Sequence, residues 1–240
     1  MKKLLVTLLA IFITVPAWAV TYDTTTSGQK SGAGTTLTVA HTVTASGSNR
    51  AIFVACGLDS GVAGGVTLTA TYAGVAMTEV RSDLHASSAN STWIFKKLNP
   101  ATGANNWVVT QSSGDNMVCY AVSATDVDQV TGTSQDTGSC NASAASVSNA
   151  VTSAGDNDLV MDVVGLGTTG HTLVAGADQT ERMNLTEGTA FESAGSTQLG
   201  SIASDAMSWT WTTNETSCHS VVAIKHFVAT TRPIAPFIFQ

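Results

Sequence analysis

The chain says nearly the same thing twice. VTASGSNRAIFVACGLD begins at Val43, and VTSAGDNDLVMDVVGLG begins at Val151, 108 residues later. Both copies carry Val-Thr, a Gly and an Asn at fixed offsets, then an apolar run ending in Gly-Leu. A repeat of this length is one supersecondary unit used twice, so whatever fold accepts the first copy must accept the second. Each copy continues into shorter alternating strands that include a Trp strand. Each then closes on another apolar strand, CYAVSATDV in the first half and HSVVAIKHF in the second.

Alternating and β-branched runs bounded by Gly, Ser, Asn and Asp predict strands over 36–43, 51–58, 66–73, 75–82, 91–98, 106–112 and 117–124. In the second half they predict strands over 145–152, 158–166, 179–184, 190–196, 207–213 and 220–227. No mature segment holds a 3.6-residue apolar period for three turns, so little helix is expected. The fold class is all-β: an antiparallel β-sandwich, jelly-roll-like, built from two similar halves at about 36–127 and 145–227. The uninterrupted apolar runs AIFVACGL and LVMDVVGL read as sheet-centre strands, and the Trp strands as half-exposed ones. Neither half is expected to close a core alone, so 20–228 reads as one domain with one face of each sheet buried against the other.

The first 19 residues read as an export signal. Lys2 and Lys3 form a positive start, Leu4 to Val15 an apolar core, and Ala17-Trp18-Ala19 a cleavage site. No later segment is apolar enough for a membrane helix, so the mature chain is expected outside the cell or at its surface. With Lys2 and Lys3 set aside from the ten basic residues, 17 acidic ones dominate. That balance argues against nucleic acid as a partner. Charged residues make up only 11% of the chain, against about 25% in ordinary domains. Ser, Thr, Gly, Ala and Asn replace them and give a neutral, hydrogen-bonding surface.

In an oxidising compartment Cys56, Cys119, Cys140 and Cys218 read as two disulfides with three possible pairings. Cys119 and Cys140 flank the turn-like Asp128-Gln129 symmetrically, which favours a bridge between them and leaves Cys56 with Cys218.

The phrases ATYAGVAMTEV, LNPATGANNWVVT, AVSATDVDQ, NDLVMDVVG, AGADQTE and VVAIKHF occur in this order. Through them, residues 22–227 resemble a large group of bacterial secreted β-sandwich modules of jelly-roll or lectin-like type. The resemblance implies a fold and a compartment, and brings no catalytic residues with it.

Chemistry-bearing patterns are sparse. The chain has no G-x-S-x-G, H-E-x-x-H or Walker loop. His219 lies among serines, a loose match to a Ser-His-Asp arrangement. Asp178, Glu181, Glu187 and Glu192 do not put two carboxylates on one strand face, as a glycosidase of this fold class requires. Asp126 with Asp128, and Asp156 with Asp158, offer oxygens for calcium, although local turn bonding is the favoured account of them. Asp162 inside LVMDVV is costly unless exposed or paired, and an outward position near a sheet edge is the expected answer. Trp209 and Trp211 share a strand face and, with Trp93 and Trp107, are candidate sugar-stacking rings. Core packing uses Trp in the same way. The tail VATTRPIAPFIFQ ends in the apolar Phe237, Ile238 and Phe239, which fold back on the sandwich, stay disordered, or add a strand to a neighbouring copy.

These readings point to an exported, non-enzymatic structural or adhesive protein, a self-associating subunit of a surface layer, filament or matrix. A carbohydrate-binding module is the alternative, and a polysaccharide hydrolase stands third.

Overall fold

The computed structural model describes residues 18–32, 34–59, 66–86, 90–152, 156–201 and 204–229. Residues 1–17 of the expected export signal, and the tail with Phe237, Ile238 and Phe239, lie outside the described residues. Every described regular element is a strand. The first half contains β1 (Thr21–Lys30), β2 (Thr36–Val43), β3 (Ala51–Asp59), β4 (Leu68–Tyr72), β5 (Val75–Ala76), β6 (Thr78–Leu84), β7 (Asn90–Leu98), β8 (Gly103–Gln111) and β9 (Asn116–Thr125). The second contains β10 (Thr133–Val151), β11 (Leu159–Leu166), β12 (Val174–Ala175), β13 (Thr180–Glu187), β14 (Phe191–Leu199) and β15 (Asp205–Ile224).

All pairings are antiparallel, and the repeat is visible in their order. One inner sheet runs β1-β9-β3-β7-β6, the other β10-β15-β11-β14-β13. The two apolar runs are the central strands β3 and β11. They are buried along almost their whole length because both faces of each inner sheet are covered. In the first half the cover is a separate sheet, β2-β8-β4-β5. In the second it comes from the same strands folding back. Residues 133–141 of β10 pair with 217–224 of β15 in the inner sheet, while 144–151 pair with 205–215 above it. The register shifts at Asn141, Ala144 and Ser146, bulges that let both strands bend together. The Trp211 indole donates to the Ala144 carbonyl at 2.9 Å, between two of these shifts.

Three cores result. Leu37, Tyr72 and Trp107 pack on Ile52 and Phe95 within the first half. Within the second, Val147 and Trp209 pack with Val164, and Val151 and Met207 pack with Val160 and Val221. Between the halves, Phe53, Ala55 and Val122 meet Met161, Val163, Phe191 and Val222. The halves do meet face to face, but each also closes a core of its own, because a covering layer sits on the far side of each inner sheet. The same cover corrects the reading of the first Trp strand: residues 90–95 of β7 are buried on both faces rather than half-exposed.

The disulfides join Cys56 to Cys119 and Cys140 to Cys218, which corrects the expected pairing. Cys119 and Cys140 lie in different inner sheets, because Asp128-Gln129 connects two halves and is not a hairpin turn. Each cysteine instead faces its register partner on the neighbouring strand, β3 with β9 and β10 with β15. β1 and residues 133–144 escaped sequence reading because TYDTTTSGQK and TSQDTGSCNASA have no apolar alternation; these edge strands are held by their ladders.

Candidate functional site

Asp162 overturns its expected place. It lies in the middle of the central strand β11, fully buried. Burial is tolerated because the carboxylate accepts four hydrogen bonds. Its Oδ1 takes the Ser196 amide and hydroxyl of β14, both at 2.8 Å. Its Oδ2 takes the Trp209 indole of the covering layer at 2.7 Å and His219 Nε2 of β15 at 2.9 Å. The other imidazole nitrogen, Nδ1, accepts from the Asn149 amide at 2.9 Å. Asn149 Oδ1 in turn accepts from the Ser139 hydroxyl at 3.1 Å. The cluster ties β10, β11, β14 and both limbs of β15 together, and runs from the interior to half-exposed Asn149 and Ser139.

This is a carboxylate–imidazole pair of the kind hydrolases use to activate a nucleophile. Here the nitrogen that would receive a hydroxyl proton is occupied by an amide. The cluster fixes position; it presents no nucleophile to a substrate. Tyr120 of the opposite inner sheet adds a bond to the Asp162 carbonyl, and burial pushes its phenol well above the ordinary range.

A second pair stands near the end of β15. Buried Asp158 accepts the His226 amide at 2.9 Å and His226 Nδ1 at 2.7 Å through Oδ1, and the Ser134 hydroxyl at 3.0 Å through Oδ2. In the first half His41 shares a 2.9 Å hydrogen bond with the Thr26 hydroxyl through Nδ1. Thr26 also accepts the Trp107 indole at 3.0 Å. His41 Nε2 is buried without a partner. Burial lowers its pKa to about 4, against a smaller opposing pull from Asp23.

The sequence-derived candidates fall differently. Trp93, Trp107, Trp209 and Trp211 are all buried, so none offers the free ring face that sugar stacking requires. All four spend their N–H internally, Trp93 on the Ser91 hydroxyl and the others on Thr26, Asp162 and the Ala144 carbonyl. Asp128 caps a turn, its Oδ1 accepting the Val130 amide and the Thr131 amide and hydroxyl at 2.7–3.1 Å. Partial burial raises its carboxyl, but those bonds and Lys225 outweigh burial and hold it below the usual range. Asp126 adopts a positive φ of 59° and accepts the Thr125 hydroxyl, while Asp156 is exposed and Asp158 is engaged as above. Among the described residues no group of three or more His, Cys, Asp or Glu is placed to hold a metal ion.

One arrangement emerges only in three dimensions. The outermost face of the first half aligns Thr36, Thr110 and Thr69 in one row across β2, β8 and β4, with Thr38, Val108 and Thr71 in the next. The outermost face of the second half carries Ser146 beside Thr210, Ser148 beside Ser208 and Ala150 beside Ala206. No charged side chain stands in either array. Rows lie about 7 Å apart along the strands, and neighbours within a row about 4.8 Å apart. The signal for this was the alternation TLTVAHT and VTLTAT, whose outward positions are threonine except for Ala40.

No family model, curated protein or solved structure matches the chain.

Proposed function

We propose that this is an exported, non-enzymatic structural or adhesive protein whose two outermost faces meet flat, uncharged, hydroxyl-bearing surfaces, either other copies or polysaccharide. The observation that carries the reading is the placement of polarity. The carboxylate–imidazole pairs are turned inward as fastenings, while the outermost strand faces present regular arrays of hydroxyls and methyls without charge. Such faces lose little on desolvation and can hydrogen-bond to a repetitive partner. The two disulfides fit an oxidising compartment, and they close each half separately, which suits a protein that must survive outside the cell.

The test is retention of the mature chain on insoluble cellulose and chitin, together with light scattering at rising concentration. Wild type is expected in the pellet or in concentration-dependent assemblies. A variant with Thr38→Lys, Thr71→Lys, Ser148→Lys and Thr210→Lys is expected to lose at least tenfold in whichever is seen, with unchanged thermal unfolding. Free monomer with no retention on either polysaccharide would defeat the reading.

A further inference from the structure

We propose that copies of this chain exchange halves: the inner sheet of the first half docks on the second half of another copy through the contact it otherwise makes within its own chain. Four observations bear on this. Each half closes its own core. Each disulfide lies within one half, and neither crosses between them. The apolar face each half turns toward the other, with Phe53, Val122, Met161 and Phe191 at its centre, requires the complementary half and is indifferent to which chain supplies it. Finally, the halves are joined covalently only through residues 128–132.

The contact has twofold-like geometry. β1 of the first half lies over β13 of the second, with the Arg182 guanidinium 3.8 Å from the Tyr22 ring centre. At the other edge β6 lies over β10, with Arg81 3.0 Å from Asp136. Because β10 opens the second half as β1 opens the first, each half's opening strand covers the other's far edge. Reciprocal exchange therefore closes a two-chain particle, while successive exchange gives an open chain. Neither creates a new interface.

The connection is short and pinned. Asp128 N donates to the Lys225 carbonyl at 2.8 Å, Lys225 N donates to the Gly132 carbonyl at 3.1 Å, and Gln129 holds the Arg50 carbonyl at 3.1 Å. Gly132 has a φ of 73°, and a side chain there would run into Leu98. A tight hinge of this kind is the feature that favours exchange once it is strained. A short tether also gives the partner half a local concentration on the order of millimolar. The closed form therefore holds in dilute solution, and exchange belongs to crowded settings such as a surface layer. This inference goes beyond the adhesive reading and does not depend on the outermost faces.

The test uses the full mature chain with Thr92→Cys and Ser220→Cys, whose native hydroxyls face each other across the contact at 2.8 Å. In a closed monomer the new disulfide forms within one chain. In an exchanged dimer it links two chains and survives denaturation without reductant. Dimers collected after refolding at high concentration are expected to run as covalent dimers. Deleting residues 129–131 is expected to raise the dimer fraction at least tenfold at equal concentration. A dimer that runs as single chains on the denaturing gel, no dimer at all, or a deletion variant that remains a folded monomer overturns the proposal. If the deletion variant does not fold, the crosslink in the native-hinge dimer decides alone. Retention on polysaccharide is read separately, so either idea can fail without the other.

Discussion

The two halves place equivalent residues around their central strands and fill them with opposite chemistry. In the first half Val54 faces Phe95 on β7, and Cys56 faces Cys119 on β9. At the matching register of the second half Asp162 faces Ser196 on β14, and Val164 faces His219 on β15. Trp107 and Trp209 occupy equivalent places in the covering layers, since each stands beside the matching valine, Val39 or Val147. One half thus fastens its cover with apolar packing, over a disulfide that ties β3 to β9 within the inner sheet. On the loop-entropy account, closing a loop of 63 residues is worth about 4 kcal/mol. The other half fastens its cover with a buried carboxylate saturated by donors. The backbone accepts either filling because every polar atom of the Asp162 carboxylate is paired; what it does not accept is a buried polar group left without partners.

That contrast breaks most sharply if the second half is given the residue of the first. Asp162→Val strands the Ser196 amide and hydroxyl, the Trp209 indole and His219 Nε2. Buried donors without acceptors cost about 1–3 kcal/mol each, so a loss of at least about 4 kcal/mol is expected in denaturant unfolding. His219→Leu alone leaves the carboxylate short of one donor. The double variant Asp162→Val/His219→Leu is expected to cost at least about 1 kcal/mol less than the two singles together, as for residues in one network. Small, additive losses would show that the cluster is not a unit.

The contrast was only half legible in the sequence. The repeat, the central strands and the closing strands were all readable, because apolar runs between turn residues encode burial directly. The covering strands were readable as half-buried strands but their layering was not, since alternation does not say which sheet a strand covers, and the Ser- and Ala-rich bends of β10 and β15 carry no hydrophobic period. Asp162 was visible as an anomaly, but its partners lie 34 to 57 residues away in sequence, and only the register brings them together. Setting the two repeats side by side would have helped: Asp162 and His219 are the second half's replacements for Val54 and Cys119, and two polar substitutions in one core imply each other. The disulfide pairing failed for a related reason. Symmetry about Asp128-Gln129 suggested a hairpin, whereas that turn separates two closed units.

His41 and Asn149 sharpen the comparison at an intermediate scale. They sit at matching places on β2 and β10, one beside Trp107's strand and the other beside Trp209's. Asn149 does not titrate, but His41 does. Its pKa falls from 6.5 in the unfolded chain to about 4 when folded, because burial disfavours the imidazolium more than Asp23 favours it. The unfolded chain therefore takes up the proton first. The stability His41 contributes is complete above pH 6.5 and is lost as pH falls toward 4. A loss on the order of 2 kcal/mol is expected across that window. His41→Asn, which copies the second half, is expected to flatten this part of the pH–stability curve. An unchanged slope would assign the acid sensitivity elsewhere.

The smallest expected effect concerns the contact the halves share. Tyr120 and Ser220 occupy matching positions on β9 and β15, opposite Ala55 and Val163, and each reaches across to the other half. The Tyr120 hydroxyl donates to the carbonyls of Asp162 and Ser196. The Ser220 hydroxyl donates to Asp83 at 2.6 Å and meets Thr92 at 2.8 Å. Both bonds lie within a contact whose bulk is apolar, so Tyr120→Phe and Ser220→Ala are each expected to cost about 1 kcal/mol. Equal losses would mean that the twofold-like contact is balanced in energy as well as in shape. A loss above about 3 kcal/mol for Tyr120→Phe alone would mean that the Asp162 cluster extends its hold through its own carbonyl into the first half. The polar fastening of one half would then also fasten the two halves together.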